Sequence, residues 1–302
     1  MAIVTITGDL ASGKSMVAKE LIHPLNAEYF STGQIQRGIA ASMGMTTLEL
    51  NQYSETHPEI DDQIDGQIKE LANKNGNFVV DSRMAWHFLP QSFKIYLSVD
   101  VYRAAERVMK DDQRSSEPAY SSIEDAINKL GQRKGSENKR YIQLYQANCS
   151  DMNNFDAVVD STFSTPQQTL DSILSLCKHW QTQTEQQNTI CHYWLSPNHI
   201  YPMAALPAAE DIQPGLVNKT PFVELIPIDV IKVDGRFYLY DNTEQLANTI
   251  KAGFPHIPVN IIAIDDEQVT EGPTAREYVA QNLNPKTVEQ WSHGLDCEYL
   301  PL

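Results

Sequence analysis

Gly8, Gly13, Lys14 and Ser15 stand in the spacing G-x-x-x-x-G-K-S. Glycines let a backbone turn tightly and approach an anion, a lysine reaches phosphate oxygens, and a hydroxyl at a helix start can ligate a hydrated cation. The run Gly8-Asp9-Leu10-Ala11-Ser12-Gly13-Lys14-Ser15 therefore predicts a loop that grips a triphosphate, with Ser15 as a Mg²⁺ ligand. Ahead of it, residues 2–7 (AIVTIT) have the uninterrupted apolar and β-branched character of a buried parallel strand. Behind it, Val17, Leu21 and Leu25 recur at helical spacing, and Pro24 marks the expected helix stop.

A second pattern is cationic. Arg133, Glu137 and Arg140 are spaced i, i+4, i+7, which puts all three on one face of a helix. Two guanidinium groups with a carboxylate able to orient them suit the charge spread over a phosphoryl group in transit. The same spacing also describes a solvated helix with an intrahelical ion pair. Arg37 and Arg83, taken singly, read as surface residues. Asp81 either caps a helix or reaches into a nucleotide crevice at the end of a parallel strand.

The elements that must position these groups alternate. Residues 78–80, 94–99 and 157–159 read as further strands, and 60–72 and 123–145 as helices, which implies a parallel sheet covered on both faces. The acidic run 55–65 reads as a solvated helix face, and the stretch 110–140 as a lid that closes when both substrates are present. Beyond Cys177 the character changes. Residues 181–189 (QTQTEQQNT) are polar and aperiodic, and Pro197, Pro202, Pro207 and Pro214 punctuate the approach to new strands at 223–226, 229–233 and 236–240. Asp234-Gly235 is a hairpin turn, 243–252 a helix stopped by Gly253, and 259–264 a returning strand. The expected organisation is a phosphate-loop α/β domain over 1–178, a linker over 179–190 and a smaller α+β domain over 191–302.

Composition narrows the possible partners. The 302 residues are 41% hydrophobic, enough for real cores, and carry a formal charge of −16, which disfavours general binding to nucleic acid or anionic membrane. Residues 176–302 hold 7 Lys/Arg against 16 Asp/Glu, so the C-terminal part is the more acidic for its length. Cys149, Cys177, Cys191 and Cys297 show no metal-ligand spacing and read as thiols of a reducing compartment. No basic and apolar leader or spanning run is evident, so the cytoplasm is the expected location.

Residues 2–175 resemble the cytidylate kinase family, particularly its short archaeal-type members. Ser31-Thr32-Gly33-Gln34-Ile35-Gln36-Arg37 is similar to the family's Ser/Thr-Gly-x-x-x-Arg segment, and Asp81-Ser82-Arg83 to its Asp/Glu-Gly-Arg element. The resemblance implies that Thr32, Gly33, Arg37, Asp81 and Arg83 hold the acceptor monophosphate. Residues 43–70 resemble the family's monophosphate-binding helices. Arg133, Glu137 and Arg140 match its lid element, and Arg103 and Arg107 its Arg-rich helix start, with Arg107 on the ATP side. The implied activity is transfer of the ATP γ-phosphoryl group to CMP or dCMP with Mg²⁺, with Lys14, Arg133, Glu137 and Arg140 as the catalytic set. Alternatives are a kinase for another small acceptor and a nucleotide sensor without turnover. Three departures stand out: Ala11 replaces a glycine, Asp9 puts a carboxylate in the loop, and Ser82 replaces the glycine of Asp-Gly-Arg. Residues 222–264 faintly resemble the ParB/sulfiredoxin-like fold, but Asp241 to Gln245 lack that fold's histidine and arginine. This implies a non-catalytic accessory module that contacts a protein or a second copy of the chain; a divergent site using Asp241 and Glu244 is the alternative.

Overall fold

The computed structural model describes residues 2–54, 56–110, 120–182, 191–207 and 221–293. The chain divides into two compact units, Met1–Val158 and Val159–Leu302.

In the first unit the order is β1 (Ile3–Gly8), α1 (Lys14–Glu20), α2 (Ile22–Leu25), β2 (Glu28–Ser31), α3 (Thr32–Ser42), α4 (Thr47–Ser54), α5 (Pro58–Leu71), β3 (Phe78–Asp81), α6 (Ala85–Phe88), β4 (Phe93–Ser98), α7 (Val101–Lys110) and α8 (Ile123–Tyr145), leading to β5 (Ala157–Asp160). All six residues of β1 are buried, as a strand covered on both faces requires. It pairs in parallel with β3 on one side (Ile3↔Phe78) and β4 on the other (Val4↔Phe93), and β2 extends the sheet beyond β3 (Glu28↔Phe78). The order β2-β3-β1-β4 reverses direction at β1, so a crevice opens beyond its carboxyl end. This is the α/β P-loop architecture.

Pro24 does not end a helix. α1 stops at Glu20, and Pro24 falls inside the four-residue α2, whose first N–H groups need no intrahelical partner. Asn26, at φ 45°, makes the real stop. α8 starts at Ser122, whose hydroxyl accepts from the Asp125 N–H at 3.2 Å, and ends at Gln146 with φ 54°. Residues 111–119 of the expected lid lie outside the described residues.

The second unit holds α9 (Pro166–Thr182), β6 (Tyr193–Leu195), β7 (Ile200–Pro202), β8 (Ile228–Val233), β9 (Arg236–Leu239), α10 (Thr243–Lys251), β10 (Ile257–Ile264), α11 (Ala275–Asn282) and α12 (Pro285–His293). By packing, α9 goes with this unit, because Ser172 Oγ hydrogen-bonds His256 Nδ1 at 2.9 Å in the buried interior. The division therefore falls ahead of residue 178, the limit read from composition, and residues 183–190 of the expected linker lie outside the described residues. The strand order is β6-β10-β8-β9-β7, with β10 parallel to β8 and β8 antiparallel to β9. The β8–β9 turn has positive φ at both Asp234 (49°) and Gly235 (83°), the backbone a two-residue hairpin demands. Residues 223–226, expected as a strand, are not one: Phe222–Glu224 forms a 3-10 turn, because Pro221 and Pro227 remove ladder donors at both ends. Among the described residues no helix is long and apolar enough to cross a membrane.

Candidate active site

Gly8 ends β1 against β4 so closely that a Cβ there would sit 2.3 Å from the Leu97 carbonyl oxygen, so only glycine fits. The loop then bends through two left-handed residues, Ala11 at φ 62° and Gly13 at φ 86°. Glycine takes that conformation freely, whereas alanine is strained by about 1–2 kcal/mol. Arg107, reaching from α7, donates to the Ala11 carbonyl oxygen at 3.1 Å and braces the strained residue from behind. Gly13 caps α1 with no side-chain hydrogen bond, and the buried Ser12 Oγ has no hydrogen-bond partner among the described residues.

Lys14 leaves this loop and pairs with Asp81 at the end of β3, 3.5 Å away. Asp81 is buried and accepts from the Tyr29 hydroxyl at 3.1 Å. Burial lowers the pKa of Lys14, with the Arg83 charge adding to the effect, against the opposing pull of Asp81 and Glu137. An anion arriving at Lys14 would restore its proton affinity. Asp81 therefore holds the loop lysine in the resting site.

Arg83 lies at the centre. Its Nη1 donates to the Gly8 carbonyl oxygen, and its Nε meets Glu137 at 3.1 Å. Glu137 also takes Arg133 at 3.1 Å. Burial would lift the Glu137 carboxyl, but Arg83 and Arg133 outweigh it and hold the group below its ordinary range. The sequence spacing led us to expect Glu137 to orient Arg133 and Arg140; it orients Arg133 and Arg83 instead. Arg140 turns the other way, to Asp61 of α5 at 3.9 Å and to the Tyr141 hydroxyl at 3.5 Å.

The acidic run expected as a solvated face is corrected at two positions. Asp61 and Asp65 are only 6% and 5% exposed, while Asp62 between them faces solvent. α5 buries Ile60, Ile64, Ile68 and Leu71, and residues one step along that stripe are carried to its edge, where the cleft opens. Burial raises the pKa of both carboxyls, with Arg140 opposing at Asp61 and the Tyr145 hydroxyl opposing at Asp65. Asp61 Oδ2 and Arg140 Nε are buried without hydrogen-bond partners among the described residues.

Lys14, Ser15, Arg37, Arg83, Arg133 and Arg140 all line one cleft, together with Leu10, Thr32, Gly33, Asp81 and Glu137. Gly33 lies beside Arg37, whose Nη1 would be in ordinary contact, at 3.5 Å, with a Cβ at that position. Gly8, Ala11, Ser12 and Gly13 form the loop backbone, and Arg107 stands behind it rather than in the cleft. Asp9 is also outside the cleft. Its carboxylate turns to Tyr96 Oη (2.7 Å), the Val99 N–H (3.2 Å) and Lys134 Nζ (2.6 Å), so no bare charge faces a bound phosphate. Residues that sequence reasoning passed over are Tyr29, Asp61, Asp65, Lys134, Tyr141 and Tyr145. The signal for the aspartates was present in their i, i+4 spacing beside isoleucines at the same interval.

The Ser15 hydroxyl at the start of α1 lines the same cleft as the buried Asp81 carboxylate, and oxygen donors of this kind suit Mg²⁺ brought in on a nucleotide, since that ion keeps water and phosphate among its ligands.

Residues 3–163 match the cytidylate kinase-like family. The cytidylate kinase of Pyrobaculum islandicum is 33% identical over 165 residues, which is 54% of this chain and 85% of that protein. The cytidylate kinase of Thermoplasma volcanium is 32% identical over 169 residues, 55% of this chain and 85% of its own length. That of Methanococcus aeolicus is 33% identical over 160 residues, 53% of this chain and 88% of its own. Among solved structures, a shikimate kinase from Bacteroides thetaiotaomicron covers 60% of this chain and 99% of its own at TM-score 0.44 and 12% identity. The chain belongs to the cytidylate kinase-like family.

Proposed function

We propose that the first unit transfers the γ-phosphoryl group of ATP to CMP or dCMP. The observation that carries this reading is the meeting of the loop lysine with four arginines from three separate segments in one cleft. Phosphoryl transfer asks for alignment and for positive charge where negative charge redistributes, and little covalent chemistry. On this reading the loop backbone and Lys14 hold the β- and γ-phosphates, and Ser15 is the protein's ligand to Mg²⁺. The ion neutralises the phosphate oxygens when bound. Arg37 and Arg83 hold the acceptor phosphate in line. An oxygen of that phosphate, already an anion, forms the new P–O bond while the bond from γ-phosphorus to the bridging oxygen breaks and ADP leaves, so no general base is needed. Arg133, oriented by Glu137, stabilises the charge in transit.

Support for a cytosine comes from Asp61 and Asp65. Cytosine presents an exocyclic amine, a donor that carboxylates accept, whereas uracil presents a carbonyl that they repel. Asp61 has an oxygen to spare, and Arg140 fixes it from the other side. One well-made polar contact of this kind discriminates by about 1–3 kcal/mol, so CMP should exceed UMP in kcat/KM by about 5- to 150-fold.

The test is an initial-rate assay offering ATP and Mg²⁺ with CMP, dCMP, UMP, AMP, GMP and dTMP. Turnover highest with a cytidine monophosphate supports the reading. Turnover highest with a purine monophosphate overturns the acceptor, and ATP binding without turnover on any acceptor overturns the kinase. For the second unit we propose a non-catalytic accessory role, since Asp241 and Glu244 lie toward solvent and form no ion pair among the described residues.

A further inference from the structure

Asp9 occupies the first variable position of the phosphate loop, where a carboxylate would repel the ligand the loop is built for. Its three donors divide into two kinds. The Tyr96 hydroxyl and the Val99 N–H belong to the end of β4 and the residue after it, and they hold the carboxylate turned away from the cleft whatever else moves. Tyr96 is buried, and burial beside Asp9 drives its pKa far above the ordinary phenol range, so it stays a donor. The third donor, Lys134, comes from α8, 125 positions along the chain, and closes at 2.6 Å. Lys134 follows Arg133 directly and lies one turn before Glu137.

We infer that the Asp9–Lys134 ion pair is a latch that docks α8 on the phosphate loop, making Lys134 a positioning residue for Arg133 and Glu137. This rests on the kinase reading above. The latch has two effects with separate signatures. It fixes where α8 sits, and hence where Arg133 reaches. It also cancels the Asp9 charge, which otherwise lies within a few residues of the triphosphate. The Lys134 side chain is 48% exposed against 16% for the part-buried Asp9, so the latch can open from the α8 side without unfolding the unit.

The two effects predict a pattern that plain destabilisation does not produce. In Lys134→Met the latch is lost and Asp9 keeps its charge: kcat falls about 10-fold and the KM for ATP rises about 5-fold or more, on the scale of one uncompensated charge near the site. In Asp9→Asn the latch is lost and the charge goes with it: kcat falls by a similar factor while the KM for ATP stays level or falls. The double variant has a kcat no lower than either single and a KM for ATP near that of the wild type, because both changes break one interaction. Equal KM changes in the two singles, multiplicative losses of kcat in the double, or wild-type kcat in Lys134→Met would each overturn the latch. Amide hydrogen exchange of α8 without nucleotide gives a readout apart from turnover. Faster exchange over 123–145 in Lys134→Met supports the latch, and unchanged exchange overturns it. A wild-type protein with no kinase activity would defeat the functional reading while leaving the exchange result to decide the latch.

Discussion

Glu137→Gln separates the structural and electrostatic parts of the site. In the resting protein Glu137 meets both Arg83 and Arg133 at 3.1 Å. The amide keeps the shape and one acceptor oxygen but removes the charge both guanidinium groups face. Breaking a fully buried pair costs about 3–5 kcal/mol, and an exposed one about 0–1 kcal/mol. The Glu137 side chain is 20% exposed, Arg83 21% and Arg133 42%, so the Arg133 pair belongs near the exposed limit and the Arg83 pair between the two. A total of about 2 kcal/mol follows. At about 2–4 °C per kcal/mol for a unit of this size, the nucleotide-free protein should melt about 4–8 °C lower. ATP should partly reverse the loss. A carboxylate on the order of 8 Å from a phosphate charge repels it by about 2 kcal/mol at an effective dielectric of 20, which salt reduces to about 1 kcal/mol. Removing it should tighten ATP about 5-fold. Differential scanning fluorimetry across an ATP titration measures both quantities. The variant should start lower and gain more per unit of ligand. A variant that melts with the wild type in the absence of ATP, or binds ATP no more tightly, would refute the view that Glu137 balances two cations.

Arg133→Ala should lower turnover about 100-fold while ATP affinity stays within a few fold, as expected for charge stabilisation made in the transition state; steady-state rates and calorimetry distinguish this from lost binding. Ala11→Gly should leave the urea midpoint almost unmoved. It relieves about 1–2 kcal/mol of left-handed strain, but glycine's extra unfolded-state freedom takes back about 0.4–1 kcal/mol and the lost methyl packing up to about 0.8 kcal/mol. In the second unit His256 is buried between Ser172 Oγ and the Asp160 carbonyl oxygen, and burial lowers its pKa from 6.5. A lowered histidine gives stability that is present above the unfolded value and lost as pH falls through the folded one. Urea midpoints should therefore drop below pH 6.5 in the wild type and drop less in His256→Gln.

Much of the first unit could be read from sequence where periodicity and burial agree. The strand entering the loop is buried at every residue, and α8 runs over the same 123–145 that its spacing predicts. β2 escaped notice because it is an edge strand in which Glu28 is exposed and only Ser31 is buried, so no apolar alternation marks it. Asp61 and Asp65 look solvent-facing in the sequence because their charge masks the periodicity, although the isoleucines beside them fix which face α5 buries. The Asp9–Lys134 contact left no local trace at all, since its two partners meet only through the fold. Asp9 was legible as an anomaly and not as half of a pair. In the second unit the hairpin at Asp234-Gly235 was plain because turn chemistry is local, whereas the expected strand at 223–226 failed against two flanking prolines that a count of β-branched residues does not weigh.

The central claim is a transfer between two phosphates, and phosphorus NMR observes it directly. With ATP, Mg²⁺ and CMP, the γ-phosphate signal of ATP should disappear as the terminal phosphate signal of CDP grows, with inorganic phosphate staying a minor product. Loss of the γ-signal to inorganic phosphate alone, or an unchanged spectrum, would contradict the account.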